Sequence, residues 1–263
     1  MLQCMPGRRS LLVVVLLSVL IAANERSSSC SPAARLKQQR PVSLGTIYGQ
    51  AWPSVYANVS LRPNDVHGWG IDHLLYKKMV SVMAPKVVVE VGVWKGATTI
   101  SFAEQLKRQG NGGTVIAVDT WLGAVEFWTR FINTPERDLQ FVNGYPSVYY
   151  TFLSNVLRHE VQDFVVPLPS PSTMAAQILT TKGIRADIIH VDGSHEYADV
   201  KSDLYTWWKL VADDGVLFGD DYTRHWPGLR RAVDEFTNET GARMHTRGGK
   251  WLIPKCGTLP KGI

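Results

Sequence analysis

The sequence predicts a doubly wound α/β fold, one domain on a mostly parallel sheet, and three observations carry that expectation. From Pro85 onward, short apolar runs alternate with segments of helical periodicity. The runs are continuously apolar rather than alternating, as strands covered on both faces require. Their C-terminal ends carry glycines and acids, at Glu90, Gly92, Asp119, Asp192, Gly193, Asp220 and Asp221, where such sheets open their ligand crevice.

Taken in order, the chain begins with Arg8-Arg9 and an apolar stretch from Leu11 to Ala23, about 13 residues long and ending in small side chains. That is the pattern of a secretory signal peptide over residues 1–23, and it is short for a membrane span. An uncleaved signal anchor is the alternative, and only then is a membrane a partner. Residues 24–50 read as a polar linker and 51–263 as the folded domain, with an irregular lead-in over 51–70. A helix is expected over 71–83, with Ile71, Leu74, Leu75, Met79 and Val82 on one face. Strands are expected over 87–91, 114–118, 164–168, 187–191 and 216–218. Helices are expected over 97–107, 124–131, 147–157, 174–181, 197–211 and 228–237, and a terminal pair of strands over 243–245 and 250–253.

Composition narrows function without naming it. Six of the 28 Lys/Arg and one of the 23 Asp/Glu lie in residues 1–40, which leaves 22 of each sign in the rest. The body of the protein is therefore neutral, and the formal net charge of +5 is no argument for a nucleic acid partner; none is expected. Asn58-Val59-Ser60 and Asn238-Glu239-Thr240 are glycosylation sequons, in keeping with a secretory-pathway location. Of three cysteines, Cys4 leaves with a cleaved signal. Cys30 and Cys256 then either join the two ends in a disulfide or remain free thiols.

The first strand ends in Glu90-Val91-Gly92-Val93-Trp94-Lys95-Gly96. This spacing is not the Gly-x-Gly-x-x-Gly that grips a pyrophosphate. Gly92 and Gly96 let the backbone approach a ligand with no Cβ in the way. Glu90 sets an acid where a dinucleotide phosphate would be repelled, so a cationic or neutral ligand, such as a sulfonium amino acid, suits the turn better. Asp119 closes the second strand, where an acid can accept both hydroxyls of a ribose; its other reading is a cap on the following helix. Ser170 and Ser172 follow the third strand and either border an adenine or cap the next helix.

The fourth strand ends in Asp192-Gly193-Ser194-His195 and the fifth in Asp220-Asp221. A crossover of about 28 residues brings parallel strand ends together, so three acids and a base meet in one crevice. Like charges crowd at a cost unless a cation neutralises them, and the arrangement reads as a hard-metal site. His190 sits mid-strand and reads as a satisfied core histidine. Tyr222, His225 and Trp226 either wall a pocket or anchor a loop. The stretch 121–150, with Trp128, Phe131, Tyr145, Tyr149 and Tyr150, is long for a connection and is expected to shape the pocket.

Over about residues 70–255, these motifs resemble the class I S-adenosylmethionine-dependent methyltransferases, which share a Rossmann-like fold. The Asp192 to Tyr197 run and the Asp220-Asp221 pair are similar to the metal-dependent O-methyltransferases, near those acting on macrolide sugars and the cephalosporin-hydroxylase-like group. The resemblance implies S-adenosylmethionine bound at Glu90, Gly92, Gly96, Asp119 and Ser172. It also implies Mg²⁺ on Asp192, Asp220 and Asp221, with His195 as general base. Those relatives often carry Glu-Asp where this chain has Asp220-Asp221, so the first side chain here is shorter. They often assemble, which makes a homo-oligomer part of the expectation. The implied activity is O-methylation of a hydroxyl on a sugar, polyol, glycan or other small molecule. A non-catalytic binding protein on the same scaffold is the alternative, while a nucleotide-dependent oxidoreductase lacks its pyrophosphate glycines.

Overall fold

The computed structural model describes residues 42–49, 54–131 and 134–263, all within one compact unit, Gln39–Ile263. The expected signal segment and Cys30 lie outside the described residues, whereas Cys256 is disulfide-bonded.

Five parallel strands, β1 (Val87–Val91), β2 (Thr114–Asp119), β3 (Val165–Pro169), β4 (Ala186–Val191) and β5 (Val211–Gly219), form the body of the sheet. β6 (His245–Arg247) and β7 (Lys250–Pro254) pair antiparallel with each other, and β7 with β5. The order across the sheet is β3-β2-β1-β4-β5-β7-β6. Side chains alternate between faces along a strand, so Val88 joins one core and Val87 and Val89 the other. The Val88 face is covered by α2 (His73–Met83), α3 (Ala97–Gln109) and α5 (Val148–Arg158), through Tyr76, Phe102 and Phe152. The opposite face is covered by α6 (Ser172–Thr181), α7 (Tyr197–Trp208) and α8 (Pro227–Thr240), through Leu179, Trp207 and Phe236. The chain steps outward from β1 through β2 to β3, then crosses back to β4 on the other side of β1. The switch point therefore lies at the C-terminal tips of β1 and β4.

Several elements differ from the sequence reading, among them the strand expected over 243–245, which is β6 at His245–Arg247. β5 starts at Val211 rather than 216, because Val211 already pairs with Ala186. The exposed Asp213-Asp214 pair, which reads as a turn, is carried within the strand next to a register shift between Ala186 and Ile188. The helix before it consequently ends at Trp208. The helix expected over 124–131 is the single turn α4 (Val125–Thr129). Residues 42–49, which fall in the expected linker, carry the short helix α1 (Leu44–Tyr48), closed by a capping box between Ser43 and Thr46. It docks on the sheet edge: Tyr48 donates its hydroxyl to the Pro167 carbonyl (2.8 Å), and Tyr56 does the same to Val165 (3.0 Å).

Candidate active site

The tips of β1 and β4 meet through glycine. Gly92 has φ +87°, and a Cβ there would stand 2.2 Å from the Asp192 carbonyl oxygen, so no other residue fits. The Asp192 amide donates to Val91 O (2.8 Å), continuing the ladder into the turn. Ligand atoms of Asp192, His195 and Asp221 lie within 4.8 Å of one another, and all three side chains are half-buried. Asp221 Oδ2 and His195 Nε2 are hydrogen-bonded at 2.9 Å. The imidazole stacks on Trp226 with ring centres 4.0 Å apart and planes 13° apart, which fixes its orientation. Burial pulls the His195 pKa down, but the Asp221 hydrogen bond and charge more than reverse this, leaving it raised. Burial also pushes Asp192 up to about 7, helped by the carboxylates of Asp220, Asp221 and Glu90 against the opposing His190 charge. That crowding is the electrostatic mark of a place suited to a cation.

Asp220 turns the other way. Its Oδ1 accepts from Lys250 Nζ and its Oδ2 lies 3.2 Å from His190 Nε2. Lys250 also donates to Gly70 O (2.7 Å) and the Tyr76 hydroxyl (3.4 Å). His190 stacks on Phe218 at 4.4 Å, and its Nδ1 lies 3.5 Å from Glu90 Oε1. Burial would lower the His190 pKa, but Asp220 and Glu90 raise it to about 10, so the ring is an imidazolium. The core histidine of the sequence reading is thus the centre of a buried ionic chain, Glu90–His190–Asp220–Lys250. Sequence reasoning missed Lys250, although a lysine opening the apolar run Trp251-Leu252-Ile253 was a usable signal. A second group, His190, Asp192 and Asp220, also lies within 4.8 Å. Its positive charge is already supplied by Lys250 and His190.

The expected cofactor residues divide as sharply. Glu90 is buried, accepts from Thr99 Oγ1 and is occupied by the His190 contact. Half-buried Asp119 clamps the glycine turn: Oδ2 accepts from the Val93 and Trp94 amides (2.8 Å each) and Oδ1 from Trp121 N (2.7 Å). This holds Trp94 at φ +53°, a left-handed conformation costly for its side chain. Ser172 donates to Asp203 (2.5 Å) and accepts from Trp207 Nε1 (2.8 Å), so it ties α6 to α7. Gly96 caps α3 at φ +93°, and a Cβ there would stand 2.7 Å from the Phe152 ring. The α3 N-terminus has neither a side-chain cap nor an acid in its first turn. Its first amides and positive dipole end are therefore suited to a carboxylate such as that of a methionine moiety. These features fit a sulfonium nucleoside at the switch point. The oxygen donors of Asp192 and Asp221 fit Mg²⁺, which commonly takes one or two carboxylates and keeps several waters.

Comparison with known proteins agrees with this geometry. The methyltransferase-domain family matches residues 89–222, just over half of the chain. An uncharacterized protein of Sinorhizobium fredii, y4gI, is 28% identical over 147 residues, covering 56% of this chain; the chain spans 14% of that relative's length. An O-methyltransferase from Bacillus cereus, solved in complex with SAH, superposes with a TM-score of 0.51 at 14% identity, over 84% of this chain and 93% of its own. The O-methyltransferase NovP gives 0.52 at 17% identity, over 81% and 96%. Apo CalS11, a TDP-rhamnose 3′-O-methyltransferase of calicheamicin biosynthesis, gives 0.50 at 16%, over 70% and 78%. At such identities the likeness to solved structures is one of fold. Family match and sheet order converge: the chain belongs to the methyltransferase-domain family and has the class I S-adenosylmethionine-dependent methyltransferase fold.

Proposed function

We propose that the protein is an S-adenosylmethionine- and Mg²⁺-dependent O-methyltransferase acting on a hydroxyl of a sugar, polyol or other small molecule. The observation that carries the reading is the half-buried Asp192–His195–Asp221 cluster beside the glycine turn of β1. The solved neighbours, O-methyltransferases among them, support the oxygen acceptor. The bound cofactor supplies a methyl on a sulfonium, already a good electrophile, and a divalent ion supplies charge that lowers the acceptor hydroxyl's pKa.

The chain's own work is alignment and proton removal. With Asp221 as acceptor, His195 Nε2 carries the hydrogen and Nδ1 is left as the basic atom. Nδ1 would take the proton of the acceptor hydroxyl, leaving its oxygen as the nucleophile toward the methyl that the cofactor would supply. Asp221 then stabilises the imidazolium, and Trp226 holds the ring in plane throughout. General-base help of this kind is typically worth ~10²–10⁴-fold. Asp192 and Asp221 would hold the ion.

A secretory-pathway location for this activity is also proposed, with residues 1–23 as the signal segment. The Cys256 disulfide and the exposed Asn58 sequon at a turn support it. Among the described residues, no helix is long and apolar enough to cross a membrane. Transfer of labelled methyl from S-adenosylmethionine to a panel of hydroxyl compounds tests the activity. Asp192→Ala is expected to abolish it, and Mg²⁺-stimulated turnover surviving in that variant would refute the proposed site.

A further inference from the structure

We infer that Lys250 withdraws Asp220 from the divalent-cation site, leaving Asp192 and Asp221 as the only strand-tip carboxylates that hold the ion. The inference rests on the metal-assisted reading proposed above and departs from the three-carboxylate set that the sequence implies.

Pairing geometry creates the arrangement. The β5–β7 ladder ends with Gly219 opposite Trp251, so one step further sets Asp220 opposite Lys250. Lys250 is 3% exposed and Asp220 7%, whereas Asp192 and Asp221 are both half-buried. An ammonium has three donors, and those of Lys250 reach Asp220, Gly70 O and the Tyr76 hydroxyl. Both oxygens of Asp220 are likewise engaged, one by Lys250 and one by His190. The segment before α2 covers the pair: a Cβ on Gly70 would stand 3.8 Å from Asp220 Cγ. An ion on Asp220 would have to approach a fixed ammonium and separate a buried ion pair. Both are strongly unfavourable, because the abandoned charge stays buried. Lys250 is therefore a positioning residue. It acts on the metal only by keeping one carboxylate away.

The test is direct Mn²⁺ binding to the purified chain, read by the electron paramagnetic resonance signal of free Mn²⁺. The double variant Asp220→Asn with Lys250→Met, which removes the buried pair without leaving an unpaired charge, is expected to change the dissociation constant by less than about threefold, as for a residue outside the contact. Asp192→Asn and Asp221→Asn are expected to weaken binding at least tenfold. Lys250→Met frees Asp220 and is expected to tighten binding at least tenfold, while Lys250→Arg restores the original value. A tenfold loss in the double variant, or no tightening in Lys250→Met, overturns the inference. No saturable binding to the parent protein refutes the metal reading instead. In that case Lys250→Met still acquires binding if the masking is real, and its failure to do so overturns the inference as well.

Discussion

His195 is held from two directions, by the Asp221 hydrogen bond and by the face of Trp226. Trp226→Ala is expected to lower kcat by about tenfold or more through lost alignment, with cofactor affinity by calorimetry unchanged. Equal losses in both would assign Trp226 to the cofactor pocket instead. A second side chain sets a pH response away from the site. Burial pushes Asp203 from 3.8 up to about 6, although the Ser172 hydroxyl opposes it. Because the folded value lies above the unfolded one, the native chain holds the extra proton, and stability is lost as pH rises from about 4 through 6. Asp203→Asn keeps the acceptor for Ser172 and removes the ionisation. Its gain in melting temperature is expected to be larger at pH 7.5 than at pH 5, by on the order of 1 kcal/mol of stability; an equal gain at both would exclude the ionisation as cause. At this scale the sequence was informative where motif and geometry are local. Asp192 and His195 share one turn, and Asp221 follows the next strand. The partner of Asp220 was not legible, because Lys250 is 30 residues away and joins it only through an antiparallel ladder.

The glycine turn after β1 and the turn after β4 behave as one element. Gly92→Ala combines an unfavourable φ with a Cβ inside the Asp192 carbonyl, so a loss of more than about 2 kcal/mol is expected. For a domain of this size, that corresponds to a melting temperature lower by roughly 4–8 °C. A shift under 2 °C, on the order of 1 kcal/mol or less, would show that the two turns can separate. β1, β2, β3 and β4 were legible as continuous apolar runs, because both of their faces are buried. The first half of β5 was not, since Asp213-Asp214-Gly215 has the composition of a turn. α1 was hidden for a different reason: five residues in polar company become a helix through a local cap and docking on β3.

At the scale of the described molecule, the order of the sheet puts its switch point between β1 and β4, where such sheets bind their ligands. A ligand that binds only the folded state stabilises it, by about 2.7 kcal/mol at a hundredfold excess over Kd. S-adenosylmethionine at that excess is expected to raise the melting temperature by roughly 5–10 °C, and NAD to leave it unchanged. A larger shift with NAD would reverse the assignment of the switch point. The fold class was legible at this scale because the alternation of strand and helix depends on average patterning rather than on any single contact. One edge of the sheet has a consequence for association. On β3, Pro167 and Pro169 have no amide hydrogen to offer, while the carbonyls of Val165 and Pro167 are already taken by Tyr56 and Tyr48. A neighbouring copy finds almost no free backbone there with which to extend the ladder, and the far side ends in the three residues of β6. Among the described residues, self-association by strand addition is discouraged on both flanks of the sheet, which leaves helices and loops as the favoured joining surfaces.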